Sequence, residues 1–306
     1  MIKTIIWRLN LIFTGILSTL MSISAQEICP EVPENITFCG SYIDLTRYDM
    51  YERFDREQIS FIYSHQRSIT MLKKANRLFP IIAPILNAND IPADLIYLMA
   101  IESNLNVLAY SPAKAAGLWQ FMAQTAKTYG LEVNDEVDER YHIEKSTVAA
   151  CKYLKDAYAK FGNWATTCAS YNAGMAGISN KLETQLADNS FDLYLVEETS
   201  RYVFRILAAK HFFEHPATYG FHLDKKDFYH NIRTRDIVVN TSIENWAEWA
   251  QQQGINYAIL RDFNPWIRSN RLTNKYGKIY TIKIPLKEDL KRSTSKIKIY
   301  NKAWIE

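Results

Sequence analysis

Apolar residues recur at helical spacing along most of the chain, and the pattern changes character only after Tyr219. The spacing predicts a helix from Asp55 to about Leu86, and Asn89-Asp90-Ile91-Pro92 is a start signal for another running from about Pro92 to Asn104. Ser146-Thr147 is expected to cap a helix that continues through Ala149, Ala150 and Leu154 to Phe161 and stops at Gly162. Helices are also expected from Trp164 to Tyr171 and from Glu197 to His211, the latter closed by Pro216. By contrast, Gln26 to about Thr46 lacks periodicity and, punctuated by Pro30, Pro33 and Gly40, reads as an extended leader. No internal repeat is visible.

Beyond Tyr219, Ile237-Val238-Val239 reads as a short strand, and Thr241 with Glu244 forms a capping-box signature before Trp246, Ala247 and Ala250. Gly254 stops that helix. A second short helix carries Ile259, Leu260 and Phe263 and halts at Asn264-Pro265, after which Tyr280 to Pro285 alternates like a strand. Strand, helix, helix, strand makes a small α/β module. The basic, polar stretch from Lys287 to Glu306 reads as a solvated tail.

The composition is that of a folded protein with a sizeable core: 306 residues, 48% hydrophobic and 23% charged. A net charge of +3 is too weak to hold a polyanion, which argues against nucleic acid as the main partner. Lys3 and Arg8 precede an apolar run, Leu9 to Leu20, that is too short to span a bilayer and is followed by Ser22, Ser24 and Ala25. Residues 1–25 are therefore expected to be a cleaved export signal, with an uncleaved anchor as the alternative, and the protein to reside in the periplasm or cell envelope. Gln26-Glu27-Ile28 lacks the small residues that precede a lipid-bearing cysteine, which disfavours a lipid anchor on Cys29. Export permits disulfides, and the four cysteines form two close pairs. A bridge is expected between Cys29 and Cys39, whereas Cys151 and Cys168 read as small buried thiols. The six histidines show no ligand spacing, so a metal site is not expected.

The first chemical signal lies after Pro92. Leu95, Leu98, Met99 and Glu102 fall at i, i+3, i+4 and i+7, so a carboxylate ends an apolar stripe on a helix whose surroundings are apolar throughout. Burial raises a carboxyl pKa, as a general acid near neutrality requires. On its own, Glu102 reads sooner as a helix-end glutamate reaching solvent or capping a backbone group.

Downstream blocks change that balance. Glu102-Ser103, Ser111-Pro112, Gly117-Leu118-Trp119-Gln120-Phe121-Met122 and Ser170-Tyr171-Asn172-Ala173-Gly174 follow in order, with Asp138-Glu139-Arg140 and Glu198-Thr199-Ser200-Arg201-Tyr202-Val203 among them. Over about Arg77 to Phe213 this resembles the lytic transglycosylases of peptidoglycan, most closely the membrane-bound murein transglycosylase D group. The resemblance implies a mainly α chain with a lysozyme-like helical catalytic domain. Separately, the small α/β module over about Arg233 to Leu286, with its Asn264-Pro265 turn, resembles a degenerate LysM domain whose opening glycine-aspartate turn is replaced by Asn240-Thr241-Ser242, a purely structural cap being the alternative. The transglycosylase resemblance implies Glu102 as catalytic acid and base, with Ser103, Ser111, Gln120, Met122, Tyr171, Asn172, Glu198 and Tyr202 lining or supporting a groove for peptidoglycan glycan strands. Asparagine and glutamine suit sugar hydroxyls and N-acetyl groups, and tyrosine offers a ring face with a hydroxyl. Read without the resemblance, Trp119 and Met122 are packing residues, Tyr171 a core tyrosine and Glu198 a surface charge. Asp138 and Arg140 read as a structural ion pair or loop tie.

Lys114 stands where the resembled pattern has glycine, Ser170 where it has alanine and Ser200 where it has arginine. Lys114 bears on loop shape, because glycine takes left-handed backbone angles that lysine adopts less readily. The implied division of the chain is 1–25 signal, 26–76 extension and leading helix, 77–216 catalytic domain, 217–232 linker, 233–286 LysM-like domain and 287–306 tail. The implied reaction cleaves the bond from N-acetylmuramic acid to N-acetylglucosamine, closes a 1,6-anhydro ring and requires no metal or cofactor. The alternatives are a hydrolytic muramidase drawing on Glu198 or Asp138 as second acid, and a catalytically silent wall-binding protein.

Overall fold

The computed structural model describes residues 29–305, so the expected export signal lies outside the described residues. The stretch read as an unstructured leader holds a hairpin, β1 (Asn35–Phe38) with β2 (Ser41–Asp44), paired from Asn35↔Asp44 to Phe38↔Ser41. Its two-residue turn places Cys39 and Gly40 at φ of 49° and 79°, as a tight hairpin demands. Alternation of buried Ile36 and Phe38 with exposed Asn35 and Thr37 packs one face on the helices. The expected Cys29–Cys39 bridge is absent: all four cysteines are free thiols. Cys29 is exposed, while the hairpin turn carries Cys39 inward, its N–H donating to Asp94 Oδ2 at 2.7 Å.

The single helix expected over 55–86 is two, α1 (Tyr48–Tyr63) and α2 (His65–Ala88), divided at Ser64. A short 3₁₀ turn, Ala93–Leu95, then leads into α3 (Ile96–Ser103). After a long loop come α4 (Ala123–Thr128), α5 (Ile143–Phe161), α6 (Trp164–Ala173), α7 (Met175–Gln185) and α8 (Glu197–Glu214). Ser146 and Thr147 do not cap α5. His142 does, its ring nitrogen accepting from the Lys145 N–H, and both hydroxyl residues are buried a turn further in. Gly162 stops α5 at φ 63°, as expected. The α8 helix packs against α1, α3 and α6 and carries an almost unbroken buried run from Tyr202 to Ala209 into the main core.

The C-terminal unit is β3 (Thr234–Val239), α9 (Trp246–Gln252), α10 (Tyr257–Phe263) and β4 (Tyr280–Pro285), its antiparallel strands in the register Ile237↔Ile282. The expected capping box is replaced by Asn245, whose side chain accepts from the Ala247 N–H at 2.8 Å. Buried Asn264 fixes the turn to β4 by exchanging two 2.8 Å hydrogen bonds with the Lys283 backbone. Trp246, Leu260, Ile282 and Ile284 form a second core, which also takes in Ala116, Val137 and Tyr141.

Neither the linker nor the tail is free. Tyr219, Phe221, Leu223 and Phe228 in segment 217–232 are buried in the main core. The stretch expected to be a solvated tail returns to the helices: Ile297 and Trp304 are buried, and Trp304 Nε1 donates to the Phe213 carbonyl at 2.6 Å. Asn76 on α2 holds the same segment, donating to the Lys298 carbonyl at 3.0 Å and accepting from the Tyr300 N–H at 2.8 Å. A few aromatic and aliphatic residues among many lysines suffice for this, because each buries a large apolar area.

Candidate active site

Glu102 occupies the last turn of α3, whose Ile96, Leu98, Met99 and Ala100 are buried. The helix ends because Asn104 and Leu105 take φ of 49° and 55°, a left-handed stop that leaves the carboxylate at the edge of the core. Glu102 is half-buried, and the Tyr202 hydroxyl from α8 donates to its Oε1. Burial raises the Glu102 pKa from 4.5 to about 7; the Tyr202 hydrogen bond and the Arg205 charge oppose the rise, and the Glu198 charge adds to it. The hydroxyls of Tyr171 and Tyr202 are held neutral by burial and by the neighbouring Glu102.

Tyr171 reaches the site from α6 and donates to the Trp119 carbonyl at 2.8 Å, which fastens the loop before α4 to the helical core. Trp119 is fully buried, and its Nε1 donates to Thr147 Oγ1 at 2.9 Å. Asn172, next along, accepts from Thr199 Oγ1 at 2.8 Å, which places it beside the exposed Glu198 at the start of α8.

The loop over 109–121 is closed by its own hydrogen bonds. Ser111 Oγ accepts from the Ala115 N–H at 3.0 Å, Gly117 N–H donates to the Ala109 carbonyl at 2.9 Å, and Gln120 Nε2 donates to the Gly117 carbonyl at 2.8 Å. Lys114 does adopt a glycine-like angle, φ 68°, and its carbonyl accepts from Arg140 Nη1 at 2.8 Å. Arg140 also donates to the Phe121 carbonyl at 3.1 Å and grips both oxygens of Asp138, at 2.9 Å through Nε and 2.7 Å through Nη2. The Asp-x-Arg element thus ties the middle of the loop at Lys114 to its end at Phe121, and both its charges are spent on that task.

Glu102, Tyr171, Tyr202 and Glu198 therefore come together, with Asn172 joined through Thr199 and with Ser111 and Gln120 shaping the facing loop. Ser103 does not join them: it is buried, and its hydroxyl turns back to the Met99 carbonyl at 3.4 Å. Met122 is the N-cap of α4 and 46% exposed, which the packing role read from its type alone does not predict. Ser170, the departure from alanine, is buried with its hydroxyl donating to the Thr167 carbonyl at 2.7 Å, so the change costs no unpaired group. The sequence reading missed Arg205 and Thr199. Both lie at helical spacing from Tyr202, at i+3 and i−3, which is the signal that points to them. Among the described residues no cluster of His, Cys, Asp and Glu could hold a metal ion.

The transglycosylase SLT domain family matches residues 80–192, and the soluble lytic transglycosylase C-terminal LysM-like domain family matches residues 235–288. Membrane-bound lytic murein transglycosylase D of Escherichia coli (strain K12) is 30% identical over 196 residues, covering 62% of this chain and 43% of that protein. A putative tributyltin chloride resistance protein of Alteromonas sp. (strain M-1) is 32% identical over 110 residues, covering 35% of this chain and 53% of its own. The chain thus spans less than half the length of the Escherichia coli relative. Among solved structures, an inactive mutant of lytic transglycosylase Slt from Pseudomonas aeruginosa matches at 19% identity and a TM-score of 0.36, over 43% of this chain and 23% of that one. No described helix is long and apolar enough to cross a membrane. The chain carries an SLT transglycosylase domain followed by a LysM-like domain and is a homologue of membrane-bound lytic murein transglycosylase D.

Proposed function

We propose that this chain is a peptidoglycan lytic transglycosylase of the cell envelope, with Glu102 acting first as acid and then as base. The observation that carries the reading is the half-buried Glu102 carboxyl, with a pKa raised to about 7 and held by Tyr202. At neutral pH such a group is available both protonated and ionised. Glu102 gives its proton to the oxygen between C1 of N-acetylmuramic acid and its N-acetylglucosamine neighbour, and the C1–O bond breaks. The resulting carboxylate takes the proton from the muramoyl C6 hydroxyl, whose oxygen bonds to C1 and closes the 1,6-anhydro ring. The nucleophile is intramolecular, so no second carboxylate is needed to activate water.

The hydrolytic alternative loses one of its two candidates, because Asp138 is buried and both its oxygens are bound by Arg140. Glu198 remains as the other. The test is release of soluble muropeptides from purified peptidoglycan by the protein and by Glu102→Gln. The expected result is a loss of about a thousandfold in the variant, with wild-type kcat/KM falling as pH rises through about 7, since the free enzyme must begin protonated. Comparable release by both proteins removes Glu102 from the reaction, and release by neither favours a wall-binding protein.

A further inference from the structure

Behind the catalytic carboxyl, on the next face of α8, lies a polar cavity of about 260 Å³ lined by Glu57, Arg67, Ile101, Asn104, Arg201 and Arg205 among others. Its charges do not balance. Glu57 of α1, only 1% exposed, accepts from Arg201 Nε at 2.5 Å and from Arg205 Nε at 3.3 Å, so its two oxygens are already shared between two guanidinium groups. Arg67 at the start of α2 is the third cation of the wall. It donates through Nη2 to the Ser60 hydroxyl at 3.0 Å and carbonyl at 3.3 Å, while its buried Nε has no hydrogen-bond partner. No described carboxylate forms an ion pair with Arg67; its charged form is disfavoured by burial and then by the Arg205 charge, with only the Glu57 charge favouring it, and Arg201 has a further partner in Glu197 at 3.7 Å. A buried donor without an acceptor and an excess of cations around a small polar space are costly unless an anion completes them.

The position of the cavity bears on which anion that is. Ile101 at the end of α3 and its C-cap Asn104 lie to either side of Glu102 in the chain, and Arg205 stands one turn beyond Tyr202 on α8, so the cavity neighbours Glu102, on which the Arg205 charge acts, although neither Glu102 nor Tyr202 lines it. A peptidoglycan strand has neutral sugars, and its negative charge resides in the carboxylates of the peptide stems carried by the muramic acid residues. We propose that the Arg67–Arg201–Arg205 cavity is a subsite for a stem-peptide carboxylate of the bound glycan strand, an inference that rests on the proposed function above. Planar guanidinium groups suit this task, since each offers paired donors matched to a carboxylate.

The test compares Arg67→Gln and Arg67→Lys with the unaltered protein on two substrates, stem-bearing peptidoglycan and glycan strands whose stems an amidase has removed. The expected result is a kcat/KM loss of about tenfold for Arg67→Gln on stem-bearing strands, the cost of one charge-assisted hydrogen bond, with a much smaller loss on stripped strands and partial retention in Arg67→Lys. Equal losses on both substrates, or none on either, overturn the assignment. Should the unaltered protein cleave neither substrate, the proposed function fails but the subsite is still tested. Calorimetric titration with a disaccharide-tetrapeptide then decides: binding that weakens about tenfold in Arg67→Gln supports the subsite, and binding indifferent to that change refutes it. Binding of inorganic phosphate that needs Arg67, without any binding of the disaccharide-tetrapeptide, makes the cavity a free-oxyanion site and overturns the stem assignment.

Discussion

Glu102 differs from an ordinary surface glutamate through three neighbours: the apolar end of α3, the Tyr202 hydroxyl and the charge pair Arg205 and Glu198. Its pKa is about 7 in the folded protein against 4.5 for the unperturbed group, so the folded state holds the proton more tightly. The resulting contribution to stability is complete below 4.5 and is lost as pH rises through about 7. Glu102→Gln, neutral throughout, should therefore gain about 2 kcal/mol over the unaltered protein near pH 8 and little near pH 4, a gain set below the full pKa difference because the carboxyl is only half-buried. Urea unfolding at the two pH values checks this, and a difference independent of pH contradicts it. Tyr202→Phe removes a donor that favours the carboxylate, so the falling limb of the pH–rate profile should move above 7 while the rate drops about tenfold. A limb that stays in place shows that the hydroxyl does not bear on the carboxyl.

At the scale of elements, the loop before α4 depends on one glycine and one arginine. A Cβ on Gly117, at φ 79°, would lie 1.9 Å from the Arg140 carbonyl oxygen, a clash with backbone that no rotamer relieves. Gly117→Ala is expected to cost about 3 kcal/mol and to abolish turnover, measured as a fall in thermal midpoint together with muropeptide release. A variant with unchanged stability would mean that the loop relaxes freely. The helices were legible where the cues are local: Gly162 ends α5, Pro216 follows α8, and the apolar stripe to Glu102 marks α3. Local cues failed where tertiary contacts decide. His142 displaced Ser146 as the cap of α5, and the β1–β2 hairpin escaped notice because each strand shows only four residues of alternation. Within the site, Glu102 and Tyr202 were reachable through ordered motif blocks. Arg205, which acts on Glu102, and buried Glu57, which holds Arg205, required the packing of α1 on α8 to be seen.

Across the whole molecule, the C-terminal unit and the chain end brace the helical region around Glu102 and are not appended to it. Val137 bridges Ile267, Asp138 N–H donates to the Trp266 carbonyl at 2.9 Å, and Lys283 pairs with Glu144 at 3.0 Å. The segment so gripped also contains Arg140, so the LysM-like domain supports the tie that shapes the loop facing Glu102. At the other end, Trp304 lies among Phe79, Phe213 and Phe228. Trp304→Ala should lower stability by about 3–5 kcal/mol, read by urea unfolding, whereas a solvated tail would lose nothing. Mass spectrometry of the muropeptides released from purified peptidoglycan tests the central claim most directly. Products lighter by one water than the hydrolytic ones, formed by the unaltered protein and missing with Glu102→Gln, are the predicted result; products of full hydrolytic mass with reducing ends would contradict it and make Glu198 the base to examine.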